Sequence, residues 1–249
     1  MAGAALAASA LLAVPASPAH SATTQDVTFT AKFAKRDRNK RRAGLSLRTT
    51  IRIEDKSAPA PLQLTNTLLR FPKGAVVNAR YFPRCKVTSL ETKGPHGCPK
   101  GSKLGSGRAR GAAPPIVSSV DAKVLLYNGE PVGRSPTLII YSVPDLGPIL
   151  TLPGTLQAGG SSNYGYVLDV NVPPIKTLPS APDASVTFFD ATVNDVTVKR
   201  KGRTIHYIDA PVLCTGTYFL LDGAFSYLGG VTNTVYEKFT LSGGPRCPR

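Results

Sequence analysis

The chain has 249 residues, with 30 Lys and Arg against 15 Asp and Glu and a formal charge of +15, and it is long enough to bury a substantial core in one or two domains. Hydrophobic residues make up 42% and charged residues 18%, beside 23 Gly and 22 Pro. This excludes a charge-rich disordered chain and a helix-rich one, and it points to a folded, loop-rich β protein.

The first segment, AGAALAASALLAVPASPAHSA, has the length and composition of a signal-peptide core and ends in small residues that suit cleavage after Ser21 or Ala22. Pro15 and Pro18 interrupt it, so it falls short of the roughly 20 apolar residues of a membrane-spanning helix. No Lys or Arg lies between Met1 and Lys32, and the missing positive flank places the expected true start upstream of Met1. The expectation is a signal peptide over 1–22, then a single secreted domain over 23–249 with no transmembrane span. With no Cys before Cys85, a lipoprotein anchor is not expected.

Alternation of apolar and polar residues then marks strand after strand. Val27, Phe29, Ala31 and Phe33 form one face, and Leu45, Leu47, Ile51 and Ile53 form another. Together they predict a hairpin whose long loop is the basic string AKRDRNKRRAG. Further strands are predicted at 62–71, 107–113, 119–128, 136–142, 149–156, 164–170, 185–199, 203–208, 217–225 and 234–241, separated by Pro and Gly clusters. Within 185–199 the apolar phase changes, which predicts a β-bulge near Asn194 and Asp195. KRKG at 199–202 reads as a tight turn closed by Gly202. Only 86–92 reads as helix. The fold class expected is all-β: an antiparallel two-sheet sandwich or jelly roll with at most one short helix.

Four cysteines, Cys85, Cys98, Cys214 and Cys247, point to two disulfides in an exported chain. Three pairings are possible. The local one, Cys85 with Cys98 and Cys214 with Cys247, is favoured, since GPHG at 94–97 supplies a turn between the first two. A zinc site is disfavoured, because no CxxC pair occurs and His96 and His206 are the only histidines after the leader.

Charge is unevenly spread. Residues 32–110 hold 20 Lys and Arg against 4 acids, whereas 111–249 hold 10 of each. Lys35, Arg36, Arg38, Lys40, Arg41 and Arg42 crowd onto the first hairpin loop. Such a cluster attracts polyanions by counterion release; the expected partners are anionic envelope polymers, phospholipid head groups or extracellular DNA. With no aromatic residue in the loop to stack on bases, sequence-specific nucleic-acid recognition is not expected.

The run FPKGAVVNARYFPRC at 71–85, followed by CPKGSKLGSGRARG at 98–111, resembles a group of exported actinobacterial proteins of unassigned function. In that group a Pro-x-Cys precedes a Cys-Pro-x-x-Ser-x-hydrophobic-Gly-x-Gly segment. Pro83, Cys85, Cys98, Pro99, Ser102, Leu104, Gly105 and Gly107 carry the match, and APVLCTGTYF at 210–219 with the terminal GGPRC is similar to the group's closing segment. The resemblance covers about residues 60–249 and implies an exported β-sandwich, with no activity attached.

Catalytic constellations are weak. GSGRARG at 105–111 departs from the dinucleotide pattern and reads as a structural turn. Neither GxSxG nor HExxH occurs. His206 with Asp209 and a serine could in principle make a triad, but every β protein contains such residues, and the alternation in RTIHYI favours an ordinary strand position for His206. The four glutamates, Glu54, Glu91, Glu130 and Glu237, form no recognisable pair for glycoside hydrolysis. Without Trp, carbohydrate stacking would fall to tyrosines such as Tyr127, Tyr141, Tyr164 and Tyr166. The sequence therefore reads as a secreted or envelope-associated, non-catalytic β-sandwich without cofactor or metal, binding anionic polymers through its basic loop. The alternative is a secreted carbohydrate or ester hydrolase whose site the sequence does not announce; a cleft with converging carboxylates would mark it.

Overall fold

The structure, a computed structural model, describes residues 25–35, 44–159, 164–209 and 219–239. Its strands are β1 (Gln25–Lys35), β2 (Leu45–Asp55), β3 (Leu64–Pro72), β4 (Val76–Val77), β5 (Lys103–Ala113), β6 (Val117–Asn128), β7 (Thr137–Pro144) and β8 (Leu150–Ala158). They continue as β9 (Tyr164–Asn171), β10 (Ser185–Val193), β11 (Thr197–Arg200), β12 (Arg203–His206), β13 (Ile208–Asp209), β14 (Phe219–Tyr227) and β15 (Thr232–Phe239). One α-helix, α1 (Val87–Lys93), and two 3₁₀ turns, at Ala79–Tyr81 and Gly94–Gly97, interrupt the series among the described residues. The described residues are thus all-β and antiparallel with a single short α-helix, as the alternation pattern predicts.

The layers of this β fold are parts of one sheet. Eleven strands follow one another in the order β1-β2-β10-β5-β6-β7-β8-β9-β3-β14-β15, and the sheet rolls until its edges approach. The side-chain amide of Asn233 on β15 donates to the carbonyl of Gln25 on β1. Inside the seam, the rings of Phe29 and Phe225 meet with centroids 6.4 Å apart.

β1 and β2 form the expected hairpin, paired from Gln25↔Asp55 to Lys35↔Leu45. Lys35 is the last residue of β1; Arg36, Arg38, Lys40, Arg41 and Arg42 lie outside the described residues, as do the leader, Cys214 and Cys247.

The roll has two different ends. The closed one is plugged by the short pair β4 and β13 and by the hairpin of β11 with β12. Here the Tyr207 ring, 2% exposed, lies edge-on to Phe82 at 5.2 Å. Buried Asn128 ties the plug together: its amide donates to the carbonyls of Ala79 at 3.1 Å, Phe82 at 3.3 Å and Pro83 at 3.0 Å, while its oxygen accepts from the Tyr207 hydroxyl. At the other end lie the β2–β3, β5–β6, β7–β8, β9–β10 and β14–β15 connections.

The second half of β6 and most of β7 are apolar on both faces, and α1 is the reason. Leu90 of the helix and the Cys85–Cys98 disulfide cover Leu125, Tyr127, Ile139 and Tyr141 on the outside of the sheet. The disulfide is the expected local pair, brought together through a 3₁₀ turn at Gly94–Gly97.

Two local expectations are corrected. The phase change in 185–199 is not a bulge near Asn194 and Asp195 within one strand: the chain leaves the large sheet after Val193 and re-enters a separate two-stranded ladder at Thr197. The irregularity in β10 falls instead between Val186 and Phe188. GSGRARG is not a turn but the body of β5. Its glycines serve close strand approach, since a Cβ at Gly107 would stand 2.1 Å from the Asp190 carbonyl oxygen of β10. The KRKG turn is as expected, with Lys201 and Gly202 at φ 48° and 72°, the left-handed pair that a two-residue hairpin loop requires.

Candidate binding site: an apolar cavity inside the rolled sheet

About eight strands close a barrel whose side chains just fill it, and the diameter grows with strand number. Eleven strands leave surplus interior. Part of it, along β1 and β14, is filled by Phe29, Leu221 and Phe225. The rest, enclosed by β2, β3 and β5 to β10, holds a cavity of about 180 Å³.

One wall creates the void. Ala109 and Gly111 of β5, Ala122 of β6, and Ala184 and Ala191 at β10 present almost no side chain to it. The facing walls carry Leu69, Ile140, Leu152, Leu168 and Val170. Ile140, Leu152, Val186 and Phe189 point to the interior and are nevertheless only half-buried, as expected of side chains lining an unfilled space. Beneath lies a second cavity of about 50 Å³, which shares Leu47, Phe71, Leu138, Leu168 and Val193 with the first and ends on Tyr207.

The cavity opens at the end away from the plug. Pro144, Leu146, Ile175 and Lys176 border it there, with Leu146 38% exposed. The β7–β8 and β9–β10 loops touch across this rim. Gly147, at φ +99°, lies so close that a Cβ would come within 2.8 Å of the Lys176 carbonyl oxygen.

Polar groups are few. Thr49, Thr67, Ser142 and Thr177 contribute hydroxyls, and the Thr177 hydroxyl is buried with no hydrogen-bond partner among the described residues. Arg110 and Lys176 reach the lining at the rim, each tied to a carboxylate. Arg110 bonds to Asp121 at 2.7 Å, and Lys176 to Asp183 at 2.5 Å. These bonds hold the carboxyls of Asp121 and Asp183 below the ordinary carboxylate range. The lining includes no carboxylate, imidazole or thiol among the described residues. The arrangement can exclude water and hold hydrocarbon; among the described lining residues no carboxylate, imidazole or thiol stands beside the hydroxyls to activate them.

Sequence-predicted site residues lie elsewhere. The ring of His206 bonds through Nδ1 to Asp195 at 2.6 Å, whereas Asp209 accepts from the Asn78 amide at 2.9 Å, so the triad weighed with Asp209 is not assembled. Glu54, Glu91 and Glu130 are exposed on β2, α1 and the segment after β6 and do not converge; the Glu237 side chain lies outside the described residues. Tyr127 and Tyr141 are buried under α1 and present no sugar-stacking face. Burial pushes the Tyr127 hydroxyl up from its ordinary value, with Tyr141 adding to the effect. Tyr166 lines the smaller cavity.

Part of the first-half charge is neutralised on the outer face. The Arg48 guanidinium forks onto Asp190 at 2.7 and 2.6 Å, and the Thr50 hydroxyl reaches the same carboxylate. Asp190, its side chain 8% exposed, is held below its ordinary value, chiefly by the Arg48 hydrogen bonds. Beside it the Phe188 ring lies between Arg52 and Arg108, at 4.8 and 5.3 Å from its centroid.

Sequence reasoning missed the cavity. Its signal was present as a count: too many strands with one apolar face for side chains to fill a single roll, together with the small residues of GRARGAA and Ala122. No family model, curated protein or solved structure matches the chain.

Proposed function

We propose that this chain is an exported, non-catalytic binding protein for an apolar small molecule, a hydrocarbon chain or a ring system, held inside the rolled sheet. The observation that carries this reading is the 180 Å³ cavity, walled by apolar side chains and open at one end. Unfilled space lowers stability by about 24 cal/mol per Å³, so a void of this size costs about 4 kcal/mol as an upper figure. Such a defect is out of proportion to a net stability of about 5–15 kcal/mol unless something occupies it. Export is supported by the leader-like first segment and by the Cys85–Cys98 bridge, which persists in oxidising compartments.

A cavity of about 150 Å³ accepts benzene, so this one encloses about seven carbon atoms. Calorimetric titration with n-alkanols of increasing length tests the reading. Affinity is expected to rise about fourfold per methylene, at about 0.8 kcal/mol each, and to level off near seven carbons, or near nine if the smaller cavity is also used. A chain that binds no alkanol, or binds all lengths equally, is not such a protein.

A second reading, polyanion binding, retains the expected partners. It is favoured by Lys199, Arg200, Lys201 and Arg203, all exposed on the β11–β12 hairpin at the closed end. The connection carrying Arg36, Arg38, Lys40, Arg41 and Arg42 leaves Lys35 and rejoins at Gly44 at that same end. Replacing the four hairpin cations with Ser is expected to weaken heparin retention and flatten its logarithmic salt slope by several units. An unchanged slope rejects this reading.

A further inference from the structure

Exposed large apolar residues are concentrated at one end of the molecule. Of the five among the described residues, Ile116, Leu146, Ile149 and Leu228 lie on connections at the open end, at 50, 38, 52 and 58% exposure, and only Val132 lies at the other. Three of them sit on the β5–β6 and β7–β8 loops, above the strands that wall the cavity. The β9–β10 loop beside them adds exposed Pro173 and Pro174. Leu146 belongs to the rim and to the cavity lining at once, so the apolar rim and the interior meet at this residue.

We infer that this rim docks on the surface of a lipid bilayer with electrically neutral head groups, and that the cavity takes up or releases its apolar ligand there. The inference rests on the apolar-ligand reading above. Two observations select a lipid surface. The hydrocarbon lining of the cavity reaches the rim through Leu146, so an apolar ligand entering there passes the same loops. The three loops also carry little charge: Asp145, and Lys176 with Asp183 already paired to each other. The exposed hairpin cations are at the opposite end, and at the open end Lys56 and Arg110 are bonded to Asp26 and Asp121, so attraction to an anionic surface would turn the mouth away. Proline residues on all three loops restrict the backbone and hold the apolar tips outward, and membrane affinity of such tips scales with the apolar area they bury.

Ile116 and Ile149 are the residues to change, because neither lines the cavity. The full, oxidised chain and the variant Ile116→Ser/Ile149→Ser are compared by flotation with phosphatidylcholine vesicles, at low salt and at half-molar sodium chloride. Octanol binding is measured separately, without vesicles. The expected result is that the wild-type chain floats at both salt concentrations, the variant partitions at least tenfold less, and both bind octanol equally. A wild-type chain that binds octanol but does not float overturns the docking inference and leaves the cavity reading intact. Flotation that salt abolishes, or that the variant retains in full, also overturns it. A dimer that the variant dissolves into monomers, without flotation, makes the rim an interface between copies and overturns it too. Flotation lost in the variant, with no octanol binding by either chain, supports the surface and rejects the cavity reading.

Discussion

Ala109 and Ala122 face each other across the β5–β6 ladder and both line the cavity. Changing both to Leu adds six carbon atoms, the number in benzene, which a cavity of about 150 Å³ accommodates. About 30 of the 180 Å³ would remain. Six newly buried carbons are worth about 5 kcal/mol at 0.8 kcal/mol each, and fixing two Leu rotamers costs about 1–2 kcal/mol. A net gain of about 3 kcal/mol is expected, raising Tm by about 6–12 °C for a chain of this size. Octanol affinity is expected to fall at least a hundredfold, since room for only about one carbon is left and each lost methylene contact is worth about fourfold. Thermal melts and calorimetric titration of both proteins provide the assay. The sign decides the matter: in an already filled core the same substitutions overpack and destabilise by about 1–3 kcal/mol. A lower Tm, or octanol binding that survives, refutes the existence of the cavity.

Three further outcomes are expected. Replacing Cys85 and Cys98 together with Ala removes a cross-link spanning 13 positions and is expected to cost about 3 kcal/mol by loop-closure entropy, read from denaturant midpoints; no change would place the constraint elsewhere. Asp190→Asn removes the carboxylate that Arg48 grips and is expected to cost roughly 1.5–3 kcal/mol at neutral pH. Because the folded-state pKa of Asp190 is depressed, its contribution is present above the unfolded value of about 3.9 and is lost as pH falls through the folded one. Wild type should therefore lose stability more steeply than the variant below about pH 4, and parallel acid curves would contradict the pairing. Asn128→Asp sets a carboxylate against the carbonyls of Ala79, Phe82 and Pro83 and is expected to destabilise by about 3 kcal/mol or more, as an uncompensated buried charge does; wild-type stability would show that the plug does not depend on this amide.

The sequence by itself determined the local structure. Alternation in Val27–Phe33 and Leu45–Ile53 produced β1 and β2, because a pleated strand with one buried face has a period of two. KRKG made its turn because Gly202 and the residue before it adopt positive φ, and thirteen residues of separation with GPHG between them brought Cys85 to Cys98. What failed were readings that needed to know which neighbour a residue would meet. GSGRARG looks like a turn because glycine punctuates loops, yet these glycines lie in a central strand, where β10 approaches too closely for a Cβ. The apolar switch after Val193 looks like a bulge, since period alone does not reveal that the chain has changed sheets. The doubly apolar runs of β6 and β7 acquired meaning only when α1 was seated on their outer face. Only the tertiary structure decided that eleven strands form one roll, because closure depends on Gln25 and Asn233 meeting across 208 positions of chain. Only closure decided that Ala109, Gly111 and Ala122 share one wall, and a void exists because those small side chains face one another's neighbours and not because any one of them is small.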